Sequence, residues 1–252
     1  AVRPHKLEYW LTSKDKLEQP EVYAAAVQSV CDTYRDAPAL AAQGTHVVST
    51  DEKTGMQALE RIHPAKPVRA GTPERIEFEY ARHGTLCLIA NWDVARGGIV
   101  SASIGATRTE EYFVRHVAQT IDTDPLAGWV FVSDQLNTHV SEGLVKLVAE
   151  RCAIDIDLGI KGRCGVLHTM PTRKAFLEDA GHRIRFVYTP RHASWLNQIE
   201  LWFSILARKL LRRSSFGSLE DLQTRVENFI AYFNAVLAKP FRWTYTGRAL
   251  QA

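Results

Sequence analysis

Apolar residues recur along this chain at two periods, and the switches between them lay out its elements. After Pro20, the residues Val22, Tyr23, Ala26, Val27, Val30 and Tyr34 recur at helical spacing with proline in the first turn, predicting a helix over about 20–35. The β-branched run THVVSTD predicts a short strand ending on Asp51. A looser stretch rich in Pro and Gly, HPAKPVRAGTP, separates it from TLCLIANWD, an apolar run of strand length. Arg96-Gly97-Gly98 then turns the chain into IVSASI, which predicts a hairpin. Thr109 followed by Glu110 and Glu111 opens a helix running to about 121, its acids suited to the positive end of the helix dipole. Past Asp124-Pro125, GWVFVSD is the strongest strand signal and ends on Asp134, and Leu144, Val145, Leu147 and Val148 mark a helix over about 140–150. HRIRFVYTP alternates as a strand closed by Pro190, and the stretch from Ser194 to about Arg213 reads as one long helix.

This order is that of an α/β, ribonuclease H-like mixed sheet: antiparallel hairpin strands plus parallel strands added by crossover helices that flank them. In such a sheet the first strand is central, and the next strand to join after the hairpin lies beside it. Asp51 and Asp134 then become neighbours despite the 82 residues between them. A third acid, Glu200, can be placed by helical phase. At about 100° per residue Ile199, Phe203, Leu206 and Leu210 form a core-facing stripe, Glu200 lies on its rim, and Arg208 and Arg212 follow further round. The plain alternative is an exposed helix glutamate.

Composition narrows the class. The 252 residues are 46% hydrophobic and 23% charged, enough for one large or two modest cores. No apolar run approaches the roughly 20 residues of a membrane span, and AVRPHKLEYW lacks a signal-peptide stretch, so a cytoplasmic protein is the expectation. Four scattered cysteines argue against a disulfide framework, and Cys152, Cys164 and His168 lack the CxxC spacing of a zinc site. The net charge of +3 hides an asymmetry: residues 1–150 carry 15 basic and 20 acidic side chains, residues 151–252 carry 16 and 8. The basic part is a candidate polyanion-facing surface, although on charge alone solvated helices are the favoured reading.

Specific blocks carry more. DEKTGMQALER around Asp51, SDQLNTH around Asp134, and TPRHASWLNQIELWFSILARKLLRR around Glu200 resemble, in order, the three catalytic blocks of DDE transposases of the mariner superfamily, in their bacterial insertion-sequence branch. FGSLEDLQTRVENFIAYFN and KPFRWTYTG resemble the closing segments of the same proteins. The resemblance implies a polynucleotidyl transferase in which Asp51, Asp134 and Glu200 hold two Mg²⁺ or Mn²⁺ ions, with Asp51 bridging them. It also implies DNA as partner (element ends and target), a homodimer on DNA, insertion at TA dinucleotides, association with the nucleoid, and no small-molecule cofactor. Carboxylates suit hard, oxygen-seeking Mg²⁺, as His or Cys would not.

On this reading residues 1–40 are a linker and helix, and 41–252 the catalytic domain. Family members begin with a helix-turn-helix region, and RPHKLEYWL resembles its end, so that region is expected to be absent or much reduced. The 65 residues between Asp134 and Glu200 exceed the compact mariner spacing, pointing to an insertion at about 150–182. Its Lys161, Arg163, Arg173 and Lys174 are candidate DNA contacts or a solvated excursion. Arg208 and Arg212, further along the helix of Glu200, are candidate phosphate contacts; Arg191 and His192 are candidate phosphate contacts too, or simple turn residues after Pro190. His139 is a candidate supporting or DNA contact, with capping of the next helix the simpler reading, and Asn137 is a candidate for orienting the loop after the strand. Trp195, Trp202 and Trp243 read as core or interface aromatics, since no basic-aromatic stripe accompanies them. Two other functions stay open: a ribonuclease H-like nuclease without strand transfer, and a non-catalytic DNA-binding module.

Overall fold

The computed structural model describes residues 14–247. Two helices come first, α1 (Lys14–Glu18) and α2 (Pro20–Ala42). The strands β1 (Thr45–Arg61), β2 (Tyr80–Asp93) and β3 (Ile99–Gly105) follow, then α3 (Glu110–Ile121), β4 (Gly128–Ser133), α4 (Glu142–Arg151), α5 (Met170–Leu177), β5 (Ile184–Tyr188), α6 (Ile199–Leu206) and α7 (Leu219–Tyr232). The sheet order is β3-β2-β1-β4-β5, with β1/β2 and β2/β3 antiparallel and β1/β4 and β4/β5 parallel. The expected neighbours, β1 and β4, are paired.

Strand alternation divides the core between two faces. Val47, Leu88, Ala90, Trp92, Val130 and Val132 point to the face covered by α2, α6 and α7, where Val30, Tyr34, Trp202, Phe203 and Val226 meet them. Their neighbours Val48, Ile89, Trp129, Phe131 and Phe186 point the other way, onto α3 and α4 through Phe113, Val117, Leu144 and Val148. Burial on both faces explains why these strands read as near-continuous apolar runs. The segment after α7 lies across the first face, Phe241 stacking on Trp92 at 4.3 Å and Trp243 meeting Tyr34 edge-on at 5.1 Å.

Several expectations need correction. β1 does not stop at Asp51 but runs on to Arg61, with bulges between Lys53 and Met56 and between Gln57 and Leu59, forming a long hairpin arm with β2. The first helix continues to Ala42 through Pro38. The 150–182 stretch contains α5, started by a Thr169–Thr172 capping box that the apolar pattern does not reveal. The expected single helix from Ser194 is a 3₁₀ turn at Ser194–Leu196, then α6, then a π turn at Ala207–Leu211. That π turn delays the helical phase, bringing both Leu210 and Leu211 against the core. At the β2–β3 hairpin Gly97 has φ +78°, and a side chain there would collide with the Lys239 backbone. Among the described residues no helix is long and apolar enough to cross a membrane.

Candidate active site

The parallel register sets the level of the two aspartates. Ser49 pairs with Val132, so two residues further along each strand come Asp51 and Asp134. Asp51 lies opposite Ala90, on the face that carries α6. β4 ends at Ser133, just where Asp134 begins. Asp51 is therefore mid-strand in its own strand but stands where its parallel neighbour gives out, the edge at which open α/β sheets leave room for ligands. Glu200 sits in the first turn of α6, half-buried, over the same face.

The two aspartates have opposite surroundings. Asp51 is 8% exposed; its Oδ1 accepts the Glu52 N–H at 2.8 Å and its Oδ2 the Asn197 amide at 3.1 Å, both neutral donors. Burial raises its pKa to about 7; the Glu52 N–H and His139 oppose that rise, while the negative charges of Asp134 and Glu200 add to it. Both other acids therefore lie near enough to Asp51 to act on it electrostatically. Asp134 is held down instead. Burial pushes its pKa up, but the His139 hydrogen bond and charge, the Leu136 N–H and the charge of Arg108 together leave it below the usual carboxylate value. A buried carboxylate with neutral donors and two like charges nearby is a place where a cation relieves repulsion. Among the described residues no three Asp, Glu, His or Cys side chains already stand in a closed metal-ligand cluster, neither these acids nor Cys152, Cys164 and His168.

His139 is fully buried and offers no surface for a DNA contact. Its Nδ1 meets Asp134 Oδ1 at 2.6 Å and its Nε2 meets Glu52 Oε1 at 3.2 Å, with its ring on Phe113 at 4.1 Å. Burial alone would lower its pKa, but the two carboxylates raise it to about 9, so at neutral pH it is an imidazolium between two acids. It does not cap α4 either; Ser141 does, accepting from the Leu144 N–H. Asn137 opens the 3₁₀ turn, Asn137–Val140, that delivers His139.

Arg191 and His192 are exposed and line a cleft of about 370 Å³ together with Asp134, Leu136 and Thr189. His192 holds a left-handed backbone, φ 59°. Lys161 and Arg163 are exposed in the loop between α4 and α5. Arg173, by contrast, is tied to the Val140 and Leu167 carbonyls, and Lys174 lies 3.4 Å from Glu178, so neither is a free phosphate ligand. Arg208 is exposed on the π turn. Arg212 lines a different cavity with Arg61 and His63, ten residues along β1 from Asp51, roughly 30 Å at strand rise, so it is not brought to this site. Trp202 is a core residue, whereas Trp195 is half exposed against Tyr245.

Sequence reasoning missed Glu52, Asn197 and Arg108. Glu52 had a signal: it follows Asp51 in a strand, so it points to the opposite, apolar face, where a carboxylate needs a partner. Asn197 and Gln198 are polar residues inside the apolar run SWLNQIELWF, and both are buried. Arg108 gave no pattern to read.

Three solved structures share this architecture. A Mos1 mariner paired end complex with Mn aligns with TM-score 0.55 at 12% identity, covering 90% of this chain and 59% of that one. A pre-cleavage Mos1 transpososome gives 0.54 and 12%, covering 91% and 60%. The catalytic domain of Mos1 mariner transposase gives 0.51 and 10%, covering 88% and 85%. The chain thus spans about three fifths of the Mos1 chains in the DNA complexes, and at these identities the likeness is one of fold: the ribonuclease H-like fold of transposase catalytic domains. No curated protein matches the sequence. The family model described as DDE superfamily endonuclease matches residues 46–223, a span that holds β1 with Asp51, the end of β4 with Asp134, and α6 with Glu200; the chain belongs to that family.

Proposed function

We infer that this chain is the catalytic domain of a DNA transposase, cutting DNA at element ends and joining it to target DNA with Asp51, Asp134 and Glu200 as metal-binding catalytic carboxylates. The observation that carries the reading is Asp51: a buried carboxylate level with Asp134 on the neighbouring strand, facing the helix of Glu200, and raised in part by the charges of both. Membership of an endonuclease family supports the same acids, and the Mos1 paired end complex, whose fold this chain shares, was crystallised with Mn.

When bound, Mg²⁺ or Mn²⁺ supplies two things to a phosphodiester: deprotonation of the attacking hydroxyl and stabilisation of the departing oxygen. The protein's own side chains do the rest. Asp51, fixed by two neutral hydrogen bonds, keeps a free lone pair on each oxygen for a cation. Asp134 turns one oxygen to His139 and the Leu136 N–H, leaving the other toward the cleft. Arg191 and His192 on the cleft rim meet the phosphate backbone, and Arg208, Lys161 and Arg163 extend the basic surface. Two ions, a dimer on paired ends and insertion at TA belong to the same proposal through the resemblance of the three blocks.

The test uses supercoiled DNA and a pre-nicked element end with target plasmid in Mg²⁺ or Mn²⁺. Asp134→Ala is expected to abolish nicking and joining while retaining DNA binding within about threefold. Retained nicking by that variant would sink the carboxylate assignment. Nicking without joined product would favour a ribonuclease H-like nuclease, and binding without either reaction a non-catalytic module.

A further inference from the structure

The turn that leads into α6 is fastened to β1 by side chains from both. The Ser49 hydroxyl donates to Asn197 Oδ1 and accepts the Ile199 N–H at 2.9 Å. The two hydrogens of the Asn197 amide go to the Thr50 carbonyl at 2.9 Å and to Asp51 Oδ2 at 3.1 Å. From the other side the Tyr34 hydroxyl donates to the Leu196 carbonyl at 2.9 Å and accepts the Gln198 N–H at 3.3 Å. Asn197 is wholly buried and every polar atom of its side chain is engaged.

Two of these bonds do different work. The bond to Thr50 ties backbone to side chain and serves the fold. The bond to Asp51 Oδ2 fixes the direction of a carboxylate, and Asn197 is three residues before Glu200, whose own N–H bonds the Asn197 carbonyl at 3.1 Å. One residue therefore touches the first acid through its side chain and the third acid's backbone through its carbonyl. A neutral amide is suited to this place: a cationic donor would compete with a metal for Asp51, and a carboxylate would add a fourth negative charge.

We propose that Asn197 is a positioning residue that sets the Asp51 carboxylate relative to Glu200, so that both present oxygens to one divalent cation. The proposal rests on the carboxylate reading above and deepens it, since that reading names the acids but not what holds two of them in register.

The experiment compares Mn²⁺ binding by calorimetry, DNA nicking across a Mn²⁺ titration, and crystal structures without metal, for wild type, Asn197→Ala and Asn197→Ser. Ile184→Val is the control: it loosens the buried start of β5 at the far end of the sheet and touches none of these residues. Asn197→Ala is expected to weaken Mn²⁺ binding about tenfold and to slow nicking at saturating Mn²⁺ at least tenfold, with Ile184→Val within twofold of wild type. Outer partners of metal ligands typically contribute effects of this size. In the metal-free structure of the variant the Asp51 side chain leaves its wild-type rotamer, or the 197–200 turn lifts from β1. Asn197→Ser, which keeps a single hydroxyl donor, gives an intermediate loss and supplies the same readings if the alanine variant does not fold. Wild-type Mn²⁺ affinity together with an unmoved Asp51 in either variant would overturn the proposal. A wild-type chain that neither binds Mn²⁺ nor nicks DNA would overturn the carboxylate reading, and the metal-free structures would still decide whether Asn197 orients Asp51.

Discussion

Replacing His139 by alanine removes the one cation standing between two acids and leaves Glu52, whose side chain is only 3% exposed, without a partner. Breaking a buried pair by deleting one member costs about 3–5 kcal/mol, because the remaining charge stays desolvated. Loss of the Phe113 ring contact at 4.1 Å adds about 1 kcal/mol. A total near 4–6 kcal/mol corresponds to a fall in Tm of roughly 8–24 °C for a domain of this size, at about 2–4 °C per kcal/mol. Urea unfolding at pH 7 measures it. Glu52→Gln keeps an oxygen able to accept from Nε2 and is expected to cost only about 1–2 kcal/mol. The double variant His139→Ala/Glu52→Gln then recovers part of the loss, since the stranded charge is gone, giving a coupling energy of at least about 1 kcal/mol. A single-variant loss below about 1 kcal/mol, or strictly additive effects, would refute an imidazolium clamped between Glu52 and Asp134.

Two further outcomes follow from other groups. His116 is fully buried, with Ser103 Oγ 2.8 Å from Nδ1 and no partner at Nε2 among the described residues, and burial lowers its pKa to about 3. Its unfolded value is near 6.5, so its contribution to stability is complete above pH 6.5 and is lost as pH falls toward 3. The stability of His116→Gln should therefore fall less steeply than wild type between pH 6 and 4, by roughly 1.4 kcal/mol per pH unit, and parallel curves would contradict the buried neutral ring. Arg108 is exposed before α3 and its charge reaches Asp134. Arg108→Ala is expected to weaken DNA binding across all sequences and lower the salt slope by about one, measured by fluorescence anisotropy; an unchanged slope would place Arg108 off the DNA path.

How much of this could be read in advance depended on whether a feature was local. The β1–β4 adjacency was legible because GWVFVSD and THVVSTD are apolar on both faces, and a crossover helix between them leaves few topologies. The end of β1 was not. Beyond Asp51 the residues Glu52, Lys53 and Thr54 look like a polar stop, yet the antiparallel partner continues, and cross-strand pairing carries the strand through its bulges. The helix after Pro190 starts later than its composition suggests for a related reason. Ser194–Leu206 has helical composition, but Asn197 and Gln198 spend their side chains or backbone on Ser49, Asp51 and Tyr34, contacts about 150 residues distant in sequence, and these start α6 at Ile199. A polar residue buried in an apolar run marks where such distant contacts lie; it does not name them.

The two aspartates show what the fold does with matching residues. Both stand at one level of two parallel strands, and their sequences differ little: each follows a β-branched run and a hydroxyl residue. Their neighbours make them unequal. Asp134 lies past the end of β4, where the chain turns back and delivers an imidazolium to it within six residues. Asp51 lies inside a continuing strand, where the backbone is already paired and only neutral groups can approach: one N–H from its own strand and one amide from α6. Strand termination therefore decides which carboxylate is held ionised by a protein cation and which has its pKa raised by burial and by its acidic neighbours. On the proposed reading, a cation entering this edge would gain most at Asp51, and Asn197, which fixes Asp51 Oδ2, would then govern more than His139 whether the three acids act as one site.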